Sequence, residues 1–170
     1  MQSALVTGGA GFIGGHLVRA LHAAGVRVAV MDDLSSGSMG NVPPGVSVYV
    51  HDVSEPWPDA MPAFDVCFHL AAISRIGWGE EAPARTERVN VGGTLKALLR
   101  SQKNGAKLVL ASSCTAAEPK LNAYARSKFQ AERTCAVHES GFGKNTVAVA
   151  RLFNVFGPGE PAEGKTATLV

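Results

Sequence analysis

The stretch that decides the fold is "ALVTGGAGFIGGHL", at residues 4–17. A short apolar run is followed by a glycine-rich turn and then by the start of a helical pattern. Gly8, Gly11 and Gly14 are spaced three apart, and Gly9, Gly11 and Gly14 also satisfy G-x-G-x-x-G. Glycine permits a tight turn, close approach of the backbone to a pyrophosphate, and close packing of the helix on the strand. Because amides at a helix start bind anions, we expect phosphate contacts from the following residues: Gly8, Gly11, Phe12, Ile13 and Gly14.

An acidic residue follows the second apolar run, "VAVMDD" at residues 28–33. Asp32 lies 18 residues beyond Gly14, close to the spacing of a carboxylate that accepts the hydroxyls of an adenosine ribose. A carboxylate at this point repels a 2′-phosphate, so NAD is favoured over NADP as the cofactor. Asp33 either shares this role or faces solvent.

Short apolar runs alternate with longer helical patterns along the rest of the chain. The runs are nearly continuous in apolar residues, which is typical of strands buried on both faces. We predict strands at 4–7, 27–31, 46–50, 65–70, 107–112 and 146–152, and helices at 12–25, 82–104 and 123–140. This alternation predicts an α/β fold, a Rossmann-type doubly wound parallel sheet with helices on both faces.

Composition narrows the class of protein. The 170 residues carry a formal charge of +2 with scattered basic residues, which argues against nucleic acid or a membrane surface as a partner. The five histidines show no metal-ligand spacing, so we expect no metal. Cys67, Cys114 and Cys135 are odd in number and form no CxxC motif, as expected of free thiols in a reducing compartment. With no signal-peptide pattern and no membrane-length apolar run, we expect a soluble, cytoplasmic protein.

A tyrosine and a lysine lie near the start of the last helix, in "ASSCTAAEPKLNAYARSK" at residues 111–128. On a helix, Tyr124 and Lys128 project from one face, one turn apart. The pair alone could belong to any amphipathic helix, but Ser113 at a strand end and the phosphate loop favour a catalytic set. Because an ammonium near a phenol favours phenolate, we expect the pKa of Tyr124 to lie below its ordinary value of about 10.

Six motifs in order carry a family resemblance: "TGGAGFIGGHL", "MDDLSSG", "HLAA", "NVGGT", "YARSK" and "RLFNVFGPG". Over residues 3–159 the chain resembles the extended short-chain dehydrogenase/reductase family, in its nucleotide-sugar epimerase and dehydratase branch. The resemblance implies NAD as the cofactor and a nucleotide sugar, most commonly a UDP-sugar, as the substrate.

The resemblance also implies roles for single residues. Asp52 and Val53 fall where the family contacts adenine, and Asn90 matches a structural or proton-relay asparagine, grouped with the cofactor-binding residues. Further cofactor contacts fall on Leu70, Ala71 and Ala72, and the catalytic set on Ser113, Tyr124 and Lys128. By the same resemblance, Tyr124 and Lys128 also contact the cofactor. The residues that contact the substrate are Ser113, Tyr124 and Asn154. Arg151 lies in the segment that leads to the nucleotide of the substrate.

The resemblance implies a division of the chain and a partner. Residues 1–156 correspond to an NAD-binding Rossmann domain, and 157–170 to the start of a truncated substrate-binding region. Relatives pair the helices that match 82–104 and 123–140 into a homodimer, whereas the alternative is simple packing of these helices on the sheet.

Two departures bear on the reaction. The segment between Ser113 and Tyr124 is shorter than is usual in the family, where it helps to wall the sugar site. The dehydratases carry an Asp–Glu pair where this chain has Cys114 and Thr115. We therefore expect epimerisation of a nucleotide sugar at C4 through a transient 4-keto intermediate, of the UDP-glucose 4-epimerase type. The alternatives are a dehydratase or reductase of the same family, and a non-catalytic NAD-binding module.

Overall fold

A computed structural model describes residues 1–74, 80–142 and 146–160. Six strands form one parallel sheet: β1 (Ser3–Thr7), β2 (Arg27–Asp32), β3 (Ser47–Val50), β4 (Val66–His69), β5 (Lys107–Ser113) and β6 (Val147–Leu152). The helices are α1 (Phe12–Ala23), α2 (Pro83–Glu87), α3 (Gly93–Lys103) and α4 (Ala123–Phe142), with 3₁₀ turns at Met39–Asn41 and Cys114–Ala117. The predicted strand ends agree with these bounds to within about one residue.

The strand order is β3-β2-β1-β4-β5-β6. The chain runs outward from β1 to β3, then returns to place β4 on the other side of β1, with Leu5 beside both Ala29 of β2 and Cys67 of β4. The order therefore reverses between β1 and β4. Ligands of doubly wound sheets bind beyond the carboxyl ends of the strands at such a reversal. The predicted Rossmann-type α/β fold is confirmed.

Helices cover both faces of this sheet. On one face Val6 and Val30 of the sheet pack with Val18 of α1. On the other face the buried residues of the sheet pack with residues of α3 and α4: Leu5, Met31, Cys67, Leu108, Leu110, Ala97, Leu98, Ala131 and Cys135. Because each strand alternates between these two layers, its sequence reads as almost entirely apolar.

The predicted helix at 82–104 is interrupted by a π-helical turn at Arg88–Gly92, which joins α2 to α3. Its sequence shows no break, since Asn90 and Thr94 keep the helical spacing of buried positions. The π turn adds a residue to the helix and turns Asn90 inward, where it is 2% exposed. In the described part of the chain, no helix is both long and apolar enough to span a membrane.

Candidate active site

A cavity of about 440 Å³ opens at the carboxyl ends of the strands, at the reversal of strand order. Its size is that of a cofactor or ligand site. Of the site residues named from the sequence, all but Asn90 and Arg151 line it: Gly8, Gly11, Phe12, Ile13, Gly14, Asp32, Asp33, Asp52, Val53, Leu70, Ala71, Ala72, Ser113, Tyr124, Lys128 and Asn154. Residues from distant parts of the chain are thus brought to one cleft.

The phosphate loop requires glycine at two positions. Gly8 has φ of +70°, and a Cβ there would lie 2.7 Å from the backbone nitrogen of Ala71. A Cβ on Gly14 would overlap the carbonyl oxygen of Gly8. Helix α1 then begins at Phe12 with no capping side chain on Gly11 and no acidic residue in its first turn. The amides of this turn are thereby left for an anion, as in dinucleotide-binding folds.

Asp32 is fixed at the end of β2 beside the phosphate loop. Its Oδ2 accepts a hydrogen bond from the Ala10 amide at 2.9 Å, and its Oδ1 accepts one from the Leu34 amide at 2.9 Å. Leu34 adopts φ of +58° to make this contact. Asp33 is exposed and accepts hydrogen bonds from the amide and hydroxyl of Ser35. Asp32 is therefore the oriented carboxylate of the pair, while Asp33 stabilises the turn at the rim of the cleft.

A second acid, Asp52, lies at the far end of the cleft. Its Oδ1 accepts hydrogen bonds from the amide and hydroxyl of Ser54, and Arg88 lies 3.8 Å from its other oxygen. Burial favours the neutral acid, but these hydrogen bonds, together with the charges of Arg88 and Arg85, outweigh it and lower the pKa of Asp52. Asp52 is therefore anionic at neutral pH.

Asn90 supports the wall of the cleft from behind. Its Oδ1 accepts a hydrogen bond from the Ile73 amide, and its Nδ2 donates to the Ile73 carbonyl and to the Ser127 hydroxyl. These contacts join the chain after β4 to helix α4. Of the two roles that the resemblance allowed for Asn90, they fit the structural one.

The predicted catalytic set lies close to the carboxyl end of β5: Ser113, Tyr124 and Lys128. Ser113 ends β5 and caps the following 3₁₀ turn, with its Oγ 2.9 Å from Thr115 Oγ1. Asn122 caps α4 by accepting a hydrogen bond from the Ala125 amide at 2.7 Å, so Tyr124 lies in the first turn of the helix. Lys128 lies one turn later, with its Nζ 5.8 Å from the centre of the Tyr124 ring and 2.8 Å from the Ala111 carbonyl oxygen.

The pKa of Tyr124 differs from the expectation. Burial raises it above its ordinary value, and the hydrogen bond with Ser113 lowers it only in part. Lys128 beside it is itself 5% exposed, and burial lowers the pKa of its ammonium to about 8. The protein groups around Tyr124 therefore do not by themselves produce the expected low pKa.

The positions of two charged side chains near this set, Arg151 and Glu132, were not predicted from the sequence. Arg151 does not line the cleft as the structure describes it; instead it forms a two-pronged ion pair with Glu132, with nitrogen–oxygen distances of 2.8 and 2.6 Å. Glu132 lies four residues after Lys128, and this helical spacing is the sequence signal that could have identified it. Several further residues line the cleft that were not predicted from the sequence, among them Ser35, Ser36, Arg85 and Val89.

The chain is similar to known proteins along nearly its whole length. The model of the NAD dependent epimerase/dehydratase family matches residues 4–170. UDP-glucuronic acid decarboxylase 4 of Arabidopsis thaliana is 32% identical over 91% of this chain and 39% of its own length. UDP-glucose 4-epimerase of Streptomyces lividans is 33% identical over 90% of this chain and 52% of its own. The solved UDP-glucose 4-epimerase of Thermus thermophilus, a complex with NAD, is 30% identical with a TM-score of 0.81, over 96% of this chain and 59% of its own. The chain thus spans between about two fifths and three fifths of these relatives.

The cleft itself fits NAD. The glycine cradle and the uncapped start of α1 suit a pyrophosphate, and Asp32 suits a ribose with free hydroxyls. Asp52, Val53, Tyr124 and Lys128 line the same cleft. The phosphate loop and the oriented carboxylate of Asp32 are consistent with the family model that matches residues 4–170. The chain belongs to the NAD dependent epimerase/dehydratase family.

Proposed function

We propose that the protein containing this chain epimerises a UDP-sugar at C4 through a transient 4-keto intermediate. The observation that supports this proposal is the convergence of Ser113, Tyr124 and Lys128 in one cleft, at the carboxyl end of β5 and the start of α4. The relatives act on UDP-sugars by name, which supports this class of substrate.

In this reaction Tyr124 removes the proton from the C4 hydroxyl, and the hydroxyl of Ser113 holds the same oxygen in place. The positive charge of Lys128 would stabilise the phenolate that forms when the proton leaves. NAD, which the phosphate loop and Asp32 would hold, would supply the acceptor and donor for the C4 hydride. Inversion at C4 requires the 4-keto sugar to turn over so that the hydride returns to its other face, after which Tyr124 gives the proton back to the oxygen.

The residues after Ser113 disfavour loss of water. Cys114 and Thr115 begin the 3₁₀ turn where dehydratases of the branch carry an Asp–Glu pair. Glu118 lies beyond this turn and is exposed. Elimination needs an acid and a base beside C5 and C6, and these positions supply no carboxylate.

Decarboxylation is the second candidate, because relatives at 32% identity are UDP-glucuronic acid decarboxylases. Its first step is the same oxidation at C4. In a uronic acid, the new ketone lies β to the C6 carboxylate, which then leaves as CO₂. The third candidate is an NAD-binding module without turnover; the chain spans 39% to 52% of the length of these relatives.

The test compares the chain and its Tyr124→Phe variant with UDP-glucose and with UDP-glucuronate. We expect UDP-galactose as product from the first substrate, and a loss of turnover of about a thousandfold or more in Tyr124→Phe with NAD affinity retained. NMR of the products separates epimerisation from CO₂ release. An active Tyr124→Phe variant would show that another group is the base, and NAD binding without turnover of either sugar would favour the module.

We also propose a homodimer. Helices α3 and α4 pack side by side on one face of the sheet, and their outer sides expose Leu95, Leu99 and Phe129, at 45%, 51% and 38%. A second copy of the same surface would cover these side chains by two-fold symmetry. The three free cysteines fit the proposed cytoplasmic location of such a dimer.

A further inference from the structure

Glu132 lies next to the catalytic set but is not part of it. Its Oε1 accepts hydrogen bonds from the Ser112 hydroxyl at 2.6 Å and from Arg151 Nε at 2.8 Å. Its Oε2 accepts one from the terminal nitrogen of Arg151 at 2.6 Å. The side chain of Glu132 is 14% exposed, and its carboxylate accepts these three hydrogen bonds.

These contacts join Glu132 to the same strand that holds Lys128. Lys128 Nζ donates to the carbonyl of Ala111, while Glu132 accepts from the hydroxyl of Ser112, the next residue of β5. The two side chains therefore run in parallel from successive turns of α4 to successive residues of β5. Arg151 extends the contact to β6.

Lys128 needs such a neighbour. Its side chain is 5% exposed, and a buried ammonium is costly unless an opposite charge and hydrogen bonds compensate it. Its described hydrogen bond is to a neutral carbonyl, which supplies no negative charge. Glu132 is the carboxylate one helical turn away, at the spacing where side chains on a helix interact.

We propose that Glu132 is a positioning residue, which holds Lys128 in its charged form and fastens the helix of Tyr124 to β5 and β6. The proposal deepens the proposed function and rests on Lys128 serving the site described there. Glu132 touches neither the substrate nor the cofactor in this role; it acts through Lys128.

The charges around Lys128 set the sign of the effect. Tyr124 and Glu132 face it from α4 and His69 from β4, while Arg151 of β6 acts through Glu132 and Cys114 of the 3₁₀ turn acts on Tyr124. Burial lowers the pKa of Lys128 to about 8, and the charge of Glu132 opposes this effect. The pKa of Glu132 lies below its ordinary value because Arg151 donates to it, so this opposing charge is present at neutral pH.

The test measures the pKa of Lys128 directly, by NMR titration of its Cε carbon in the NAD-free chain and in Glu132→Gln. Loss of the carboxylate should lower the pKa of Lys128 by about one unit. Glu132→Asp should recover part of the shift. The matched control is Glu139→Gln, because Glu139 also ties α4 to β6, through the amides of Thr146 and Val147, but lies about two turns further from Lys128.

An unchanged pKa of Lys128 in a folded Glu132→Gln variant would overturn the proposal and leave Glu132 a structural residue only. If Glu132→Gln does not fold, Arg151→Gln decides, since Arg151 is half-exposed. Removal of this competing cation should raise the pKa of Lys128, and no change or a fall would overturn the proposal. Because the titration needs no sugar and no turnover, it can succeed even if the proposed epimerisation fails.

Discussion

His69 is a titratable side chain at the centre of the sheet, at the carboxyl end of β4. It is 2% exposed, and its Nδ1 lies 2.8 Å from the Thr7 hydroxyl of the neighbouring strand. Burial, with a smaller contribution from the charge of Lys128, lowers its pKa to about 3. The imidazole is therefore neutral in the folded protein over the whole physiological range.

Because the pKa of His69 is lower in the folded chain than in the unfolded chain, we predict a loss of stability in acid. Between about pH 6.5 and pH 3 the unfolded chain binds a proton at His69 that the folded chain does not, so the free energy of unfolding falls as the pH falls. The contribution is a few kcal/mol over this window. Urea unfolding at several pH values should show a smaller slope of stability against pH in His69→Asn than in the natural chain.

The comparison with His69→Asn cancels the carboxylates that titrate in the same window. His22→Asn, on the exposed side of α1, is the control and should keep the slope of the natural chain. Equal slopes in all three proteins would show that His69 binds a proton in the folded state as readily as in the unfolded chain, and would contradict the lowered pKa.

At the scale of residues, the features that could be predicted from the sequence are those set by local backbone sterics. The spacing of Gly8, Gly11 and Gly14 predicted the phosphate loop because steric limits on a Cβ act locally. The pKa of Tyr124 was predicted with the wrong sign, because burial depends on packing that no short motif encodes. Glu132 was missed as well, since its partners Ser112 and Arg151 are 20 and 19 residues away.

At the scale of elements, helix α4 determines the geometry of the site, because it carries Tyr124, Lys128 and Glu132 on successive turns. Its start is held twice, by the side chain of Asn122 on the Ala125 amide and by Glu80 on the Ala123 amide. These two acceptors satisfy amides that a helix start leaves without intrahelical partners. The strands were predicted well because each is a nearly continuous apolar run between helical patterns, whereas the π turn at Arg88–Gly92 changes the helical spacing too little to be seen in the sequence.

Asn122→Ala should destabilise the chain by about 1 kcal/mol, because it removes the cap next to Tyr124. Chemical denaturation measures this as a lower midpoint with an unchanged slope. Asn122→Asp keeps an acceptor at the same position and should retain most of the stability. If the alanine and aspartate variants were equally stable, the hydrogen bond to Ala125 would contribute nothing to the helix start.

At the scale of the whole molecule, the sheet separates two tasks. The carboxyl ends of its strands form the cofactor cleft, while the outer sides of α3 and α4 form an apolar surface away from that cleft. Leu95 and Leu99 lie one turn apart on α3, and Phe129 lies on the adjacent α4. Exposed leucines are common singly, but a contiguous set on two packed helices is typical of a protein interface.

Leu99→Glu tests whether this surface joins two copies. A charge at a two-fold interface is placed twice, and like charges facing each other without water or partners should shift the equilibrium to monomers. Sedimentation velocity should therefore give the mass of two chains for the natural protein at micromolar concentration, and of one chain for Leu99→Glu.

The matched control is Met39→Glu, because Met39 is equally exposed, at 51%, but lies in the turn beyond β2. A natural chain that sediments as a monomer, or two variants that dissociate alike, would contradict a homodimer through α3 and α4. If only Leu99→Glu dissociates, and its NAD affinity is unchanged, the interface and the cleft are independent features of the fold.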